Sequence, residues 1–155
     1  MIGIDPGYDR VGWAIGRREG RTLQIIEYGL IQTDKQHSLF DRYQLIEHEL
    51  REICRQYQPQ EAAIESVFFG HNQTTAMKVA EVRGVIIAQL LHHHVTCYEY
   101  TPNQVKLTVT GYGQADKKAV EKMIRLQLKL PPMPLVDDTL DALAILMTHE
   151  LVTKF

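Results

Sequence analysis

Five short segments of this chain are either apolar or alternate between apolar and polar residues, and each predicts a β-strand. The first segment is apolar up to Asp5, and the next two alternate between apolar and polar positions, as half-buried strands do. Turns containing Gly7 and Gly20 separate these three segments, so we expect an antiparallel meander. The fourth segment has an apolar centre, Ala62-Ala63-Ile64, which is typical of a buried strand, so we expect it near the centre of the sheet. The predicted strands are residues 1–5, 10–17, 22–32, 61–65 and 95–100.

Apolar residues that recur every three or four positions predict helices in the rest of the chain. Ser38 and Asp116 stand where caps of the first and fourth helices would lie, and Asp137 is expected to cap the fifth. The predicted helices are residues 38–57, 74–92, 102–109, 116–128 and 137–152. The apolar stripe of the second is expected to be Ala76, Val79, Ala80, Arg83, Ile87 and Leu90. Strands followed by alternating helices and strands predict a mixed α/β sheet with helices on its faces.

Composition supports one globular domain and excludes several classes of protein. The chain has 155 residues, of which 45% are hydrophobic and 23% are charged, values typical of a packed fold rather than of disorder. No apolar run is long enough to span a bilayer, and no signal peptide is visible. Cys54 and Cys97 have no metal-ligand spacing, so free thiols in a reducing cytoplasm are the simplest interpretation.

The charged residues are unevenly distributed. The whole chain has a net charge of −2, but residues 103–130 contain six basic residues against two acids, a net charge of +4. Residues 131–155 contain four acids against one lysine, a net charge of −3. A basic surface beside an acidic pocket suits a polyanion held near cations. The alternative is a helix with a solvated lysine face, which charge alone favours.

Four carboxylates stand where an acid is unfavourable unless it has a function. Asp5 and Glu65 each end an apolar strand, and Asp138 and Asp141 lie three residues apart at the start of the last helix, on one face of its first turn. If the fold brings them together, their repulsion must be offset by cations. Oxygen ligands are those that Mg²⁺ prefers. The pattern therefore indicates an acidic metal site suited to phosphodiester hydrolysis.

Several separated motifs closely resemble those of the RuvC family of bacterial Holliday-junction resolvases. They are GIDPG at 3–7, AIESVF at 63–68, VRGV at 82–85, QVK at 104–106, GQADK at 113–117 and DTLDALA at 138–144. Their order and spacing agree along almost the whole chain. The resemblance implies a ribonuclease-H-like fold, with a mixed five-stranded sheet flanked by helices, as a single domain over residues 1–155. It further implies a homodimer that makes two symmetric nicks near the centre of a four-way DNA junction.

The resemblance also assigns roles to residues of this chain. The catalytic and metal-binding acids fall on Asp5, Glu65, Asp138 and Asp141, with Mg²⁺ or Mn²⁺ as the cofactor, two ions per active site. The DNA-binding positions are Phe68, Lys106 and Lys117. Lys118 is a further candidate for a phosphate contact, which does not come from the resemblance, and its alternative is an ordinary solvated lysine. Phe68 is expected to be exposed and to stack on bases at the junction centre. The branch-migration proteins RuvA and RuvB are the implied partners. Val11 departs from the family pattern, which commonly has threonine there, and removes a hydroxyl but no metal ligand.

Three other functions remain open at the level of sequence. Another ribonuclease-H-like nuclease, such as the YqgF group, shares a similar opening motif, but Lys106, Lys117 and the Asp138–Asp141 pair favour the resolvase. Actin-like sugar and acetate kinases also begin with a Gly-Ile-Asp-x-Gly strand, but they need two such domains. A catalytically silent junction-binding protein is disfavoured because all four acids are present.

Overall fold

A computed structural model describes residues 1–20, 22–67 and 73–153, and these residues form one sheet and five helices. The strands are β1 (Ile2–Asp5), β2 (Arg10–Glu19), β3 (Thr22–Gln32), β4 (Glu61–Glu65) and β5 (Thr96–Tyr100). The helices are α1 (Leu39–Tyr57), α2 (Gln73–His92), α3 (Pro102–Thr110), α4 (Lys117–Gln127) and α5 (Asp137–Val152). All ten predicted elements are confirmed, with bounds that differ by a few residues at most.

The sheet is mixed, with the strand order β3-β2-β1-β4-β5. β2 pairs antiparallel with both β1 and β3, which confirms the predicted meander. β4 runs parallel to β1 and β5 runs parallel to β4. Because β1 and β4 are parallel neighbours, their carboxyl ends lie at the same edge of the sheet. Asp5 and Glu65 are the last residues of these two strands.

Helices cover both faces of the sheet, so side chains of the inner strands are buried on either side. Ile2, Ile4 and Ile64 point to the face covered by α1 and α2 and are 0% exposed. Ala63 points to the other face, where it packs with the side chains of α3, α4 and α5. Full burial of one isoleucine side chain stabilises a fold by about 1.5–3 kcal/mol. The buried centre of the sheet therefore gives Asp5 and Glu65 a rigid support.

Helix α5 lies directly against the sheet because two strand residues lack a side chain. A Cβ atom on Gly3 would lie 2.5 Å from the carbonyl oxygen of Ala142, and one on Gly12 would lie 1.9 Å from that of Asp138. Neither position has room for any other residue. All residues of α5 from Thr139 to Glu150 are buried except Asp141. This close approach sets the first turn of α5 beside the end of β1.

The predicted helix caps are confirmed for two helices and wrong for the third. The hydroxyl of Ser38 accepts a hydrogen bond from the Asp41 N–H at 3.2 Å, and a carboxylate oxygen of Asp116 accepts one from the Ala119 N–H at 2.8 Å. Asp137 does not cap α5, since it is the first helical residue and Val136 precedes it without a side-chain cap. The carboxylate of Asp137 is instead paired with a lysine in the candidate site.

The predicted stripe of α2 is wrong in part. The buried residues are Ala76, Val82, Ile86, Gln89 and Leu90, whereas Val79, Arg83 and Ile87 are only partly buried. Apolar residues occur on all sides of this helix, so their spacing does not select one face. None of the helices that the structure describes has the length and apolar character required to span a lipid bilayer.

Candidate active site

The four predicted acids meet at one edge of the sheet. Asp5 and Glu65 reach this edge from β1 and β4, and Asp138 and Asp141 reach it from the first turn of α5. The negative charges of Glu65, Asp141 and Asp138 all act on Asp5. The structure therefore brings together side chains that are up to 136 positions apart in the chain, as the sequence predicted.

Without a cation, burial and mutual repulsion make the ionised forms of three of these acids unfavourable. Burial, followed by the charges of Glu65, Asp141 and Asp138, raises the pKa of Asp5 to about 8. Burial, followed by the charge of Asp141, raises the pKa of Glu65 to about 7. Burial also raises the pKa of Asp141, although the nearby ammonium of Lys117 opposes that shift. A site of this kind favours a bound cation, because a cation stabilises the ionised form of every acid around it.

A cleft of about 240 Å³ is lined by two of these acids, Glu65 and Asp141, and by residues of helices α3 and α4. Glu65 and Asp141 form its acidic side, and Lys106 and Lys117 form its basic side. The remaining lining is apolar and comes from Pro102, Val105, Val120, Ala144 and Ile145. The cleft thus presents carboxylates and ammonium groups to the same small volume, which matches the needs of a phosphate group bound beside cations.

Lys117 holds two of the acidic side chains of α5. Its Nζ atom lies 3.2 Å from Oδ2 of Asp137 and 3.4 Å from Oδ2 of Asp141. Burial lowers the pKa of Lys117, but the charges of Asp141 and Asp137 outweigh burial, so the pKa is raised and the lysine stays charged. Lys106 on α3 lies close enough to Glu65 for its charge to lower the pKa of that acid. Lys118 is exposed on α4.

Arg10 is paired with the fourth acid, Asp138, and was not singled out from the sequence. Its Nε atom lies 3.1 Å from Oδ2 of Asp138. That oxygen is buried, and no group in the described part of the chain donates a hydrogen bond to it. The signal in the sequence was a single basic residue directly after the turn that follows Asp5. Such a position is also typical of an exposed strand end, so the sequence alone did not identify it.

Arg83 supports Glu65 through the backbone and was predicted only as part of the buried stripe of α2. Its Nε donates a hydrogen bond to the carbonyl oxygen of Glu65 at 3.2 Å, and its terminal nitrogen is paired with the carboxylate of Glu99. Arg83 thereby ties α2 to the ends of β4 and β5. Its contribution is to hold the end of β4, from which the Glu65 carboxylate projects, in a fixed place.

The four acids are neighbours, but among the described residues their side chains are not arranged as a complete set of metal ligands. Within residues 1–20, 22–67 and 73–153, no three acidic, histidine or cysteine side chains are arranged so that they could hold a metal ion as they stand. The acids on α5 are instead engaged by Arg10 and Lys117. Phe68, which was predicted to contact DNA, lies outside the described residues.

Comparison with known proteins identifies the family. The family model described as crossover junction endodeoxyribonuclease RuvC matches residues 1–149. The RuvC crossover junction endodeoxyribonuclease of Thermosipho melanesiensis is 42% identical over 155 residues, which are 100% of this chain and 99% of the relative. Thermus thermophilus RuvC, solved in complex with a Holliday junction substrate, superposes with a TM-score of 0.92 and 29% identity, over 99% of this chain and 95% of that one.

A more distant structure supports the fold alone. The Fowlpox virus resolvase, solved with Holliday junction DNA, has a TM-score of 0.64 and 12% identity, over 96% of this chain and 97% of that one. The predicted ribonuclease-H-like fold is confirmed. Together with the acidic edge of the sheet and the match along the whole chain, these findings place the protein in the RuvC family of crossover junction endodeoxyribonucleases, which are divalent-metal-dependent nucleases.

Proposed function

We propose that this chain resolves four-way DNA junctions by making paired symmetric nicks, with Asp5, Glu65, Asp138 and Asp141 as the catalytic acids. The observation that carries the proposal is the placement of these acids at one edge of the sheet, two at the ends of the parallel neighbours β1 and β4 and two in the first turn of α5. Its strongest outside support is the structural likeness to a RuvC that binds a Holliday junction. A purely structural role does not account for four neighbouring carboxylates, because their repulsion destabilises the fold unless cations are bound.

The same acids are the proposed ligands of divalent cations, Mg²⁺ or Mn²⁺, two per active site. The donor set fits, since all four side chains offer carboxylate oxygens, which these hard cations prefer. The buried Oδ2 of Asp138 accepts no hydrogen bond from the described residues and is paired only by charge with Arg10, which a cation would replace there. When bound, such cations neutralise the phosphate, activate a water molecule and stabilise the leaving oxygen.

The basic residues around the cleft are proposed to bind the DNA backbone. Lys106 and Lys117 line the cleft opposite the acids, where an ammonium group can contact the phosphates beside the cut. Lys117 must give up its contacts with Asp137 and Asp141 to do so, and the arrival of cations at the acids favours that exchange. Lys118 is exposed on the same helix and is proposed to contact a phosphate farther from the cut. Phe68 is proposed to stack on bases at the centre of the junction.

A homodimer is proposed because two symmetric nicks require two equivalent sites. Helix α2 has an exposed face suited to a second copy of the chain. Met77 and Leu91 are 61% and 57% exposed, although both are large and apolar. Gly84 lies on the same face, and a Cβ atom there would meet nothing within 4 Å. Exposed apolar side chains around a glycine on one helix face are typical of a surface that packs closely against a partner.

The remaining proposals follow from the family. RuvA and RuvB are the proposed partners in branch migration, and the cytoplasm, where chromosomal DNA lies in bacteria, is the proposed location. Residues 1–155 are proposed to act as one domain, since α5 contacts β1, β2, β3 and β4 and also packs against α3 and α4.

Cutting assays on defined substrates test the proposed function. The purified protein is incubated with a mobile four-way junction, a linear duplex and an RNA–DNA hybrid, each with Mg²⁺, Mn²⁺ or EDTA. The expected result is a pair of nicks, related by symmetry near the junction centre, that require the metal. Preferential cutting of the hybrid would instead assign the chain to another ribonuclease-H-like activity, and stable junction binding without any cutting would make it a silent binding protein.

A further inference from the structure

Arg10 is fixed at its backbone, and its half-exposed side chain is ion-paired with Asp138. It is the first residue of β2, where it pairs with Gln32 of β3. A Cβ atom on Gly7 would lie only 2.4 Å from the carbonyl oxygen of Arg10, so the turn after Asp5 is tightly folded against it. The Asp9 carbonyl oxygen accepts a hydrogen bond from the Thr33 N–H at 3.0 Å, which secures the same turn. The side chain therefore starts from a defined point beside the acidic cleft.

The contact between Arg10 and Asp138 is close in distance but incomplete in geometry. The 3.1 Å separation makes an ion pair, yet the N–H of Arg10 is not directed at the Asp138 oxygen in hydrogen-bond geometry. The Arg10 side chain is 48% exposed, whereas that of Asp138 is 21% exposed. Half-exposed ion pairs of this kind contribute little stability. Arg10 can thus leave Asp138 without disturbing the core.

We propose that Arg10 is an exchangeable phosphate-binding residue, whose contact with Asp138 is replaced by a contact with the DNA backbone when a divalent cation binds the acids at this edge of the sheet. The inference rests on the proposed function, since it requires a metal at Asp138 and DNA beside it. A cation and the guanidinium compete for the same carboxylate, and once both are close they repel each other. The planar guanidinium offers five N–H donors in a geometry that matches a phosphate, so a nearby DNA strand is its natural new partner.

Lys117 makes the proposal more specific. It pairs with Asp141, so each proposed ligand on α5 has its own positively charged partner, one from β2 and one from α4. Released together, the two partners would both contact the DNA backbone near the cut. Metal binding and DNA binding should therefore strengthen each other through Arg10.

The first test measures metal binding without DNA. Mn²⁺ is titrated into the wild-type protein, Arg10→Gln and the matched control Arg17→Gln by calorimetry or by loss of the free Mn²⁺ resonance signal. Arg17 lies on the same strand and pairs with Glu19 on the surface. Arg10→Gln should bind Mn²⁺ about 2- to 5-fold more tightly, the range expected for losing one exposed competing charge. Arg17→Gln should bind as the wild type does. Unchanged or weaker Mn²⁺ binding in Arg10→Gln overturns the proposal.

The second test measures junction binding with and without a cation. Anisotropy of a labelled four-way junction is recorded in EDTA and in Ca²⁺, which also binds carboxylate oxygens. Arg10→Gln should weaken binding more in Ca²⁺ than in EDTA, and Arg10→Lys should restore part of the loss because it keeps the charge. An equal loss in both conditions, or no loss, contradicts the exchange. A melting curve for each variant confirms that it is folded.

The two tests separate failure of this inference from failure of the proposed function. If the wild-type protein binds neither Mn²⁺ nor the junction, the proposed function itself is wrong, and the inference falls with it. If the wild type binds both and Arg10→Gln behaves like Arg17→Gln, only the role of Arg10 is wrong.

Discussion

At the scale of single residues, the metal-free protein disfavours the ionised form of the Asp5 side chain. Its pKa is raised to about 8, chiefly by burial and then by Glu65, whereas the ordinary value is 3.8. The folded state therefore binds the proton more tightly than the unfolded state does. The stability that this protonated acid provides is complete below about pH 4 and is lost as the pH rises through 8.

Asp5→Asn should consequently stabilise the metal-free protein, because an amide occupies the same space without a charge. We expect its melting temperature in EDTA to exceed that of the wild type by at least about 2 °C at pH 8. The difference should shrink at pH 5 and also when Mg²⁺ is added at pH 8. Calorimetric melting curves at both pH values measure it. A variant less stable than the wild type at pH 8 would show that Asp5 is not under electrostatic strain.

His149 gives a second prediction at this scale. It is 0% exposed, its Nδ1 lies 2.8 Å from the Tyr100 hydroxyl, and its Nε2 lies 3.2 Å from a Glu61 oxygen. Burial lowers its pKa, although Glu61 opposes the shift. The unfolded state therefore takes up a proton first, and stability falls as the pH drops below about 6.5. Denaturant unfolding should show a smaller loss between pH 7.5 and 5.5 for His149→Gln than for the wild type. An equal loss would contradict a buried neutral imidazole.

At the scale of elements, the site depends on how closely α5 approaches β2. Gly12→Ala would put a Cβ atom 1.9 Å from the Asp138 carbonyl oxygen, so the first turn of α5 must move. We expect a clear loss of stability, of about 1–3 kcal/mol as in other overpacked cores, and weaker Mn²⁺ binding. Denaturant unfolding and Mn²⁺ titration measure the two effects. Gly113→Ala is the control, since Gly113 lies outside the helices and a Cβ atom there would lie no closer than 3.7 Å to an atom beyond its chain neighbours. Wild-type behaviour of Gly12→Ala would show that this contact does not position the acids.

Helix α2 provides the element-scale test of the dimer. Gly84→Leu adds a bulky side chain to the exposed face that contains Met77 and Leu91, and it should shift the sedimentation of the protein toward the monomer. Gln44→Leu adds the same side chain to an exposed position of α1 and should leave association unchanged. Unchanged sedimentation of Gly84→Leu would remove this face from the proposed interface.

At the scale of the whole molecule, the sequence predicted the sheet and the meeting of the acids well. Strand ends at Asp5 and Glu65 are visible as apolar runs that stop at an acid, and short-range turn signals set the element bounds. The pairing of Arg10 with Asp138 was not visible, because it joins residues more than a hundred positions apart. The pairing of Asp137 with Lys117 was missed for a different reason, since a local cap explained the position of Asp137 equally well. The apolar residues on all sides of α2 likewise hid which of its faces is buried.

For the whole molecule, we infer that the neighbouring carboxylates hold the cations needed to cut DNA, whereas basic residues and molecular shape bind the DNA. The most direct test compares junction binding in Ca²⁺ with single-turnover cutting in Mg²⁺ for the wild type, Asp5→Asn and Glu49→Gln, whose exposed carboxylate lies on α1, across the sheet from α5. We predict that Asp5→Asn binds the junction nearly as the wild type does but cuts at least about a hundredfold more slowly, whereas Glu49→Gln cuts normally. Cutting by Asp5→Asn at close to the wild-type rate would contradict the account.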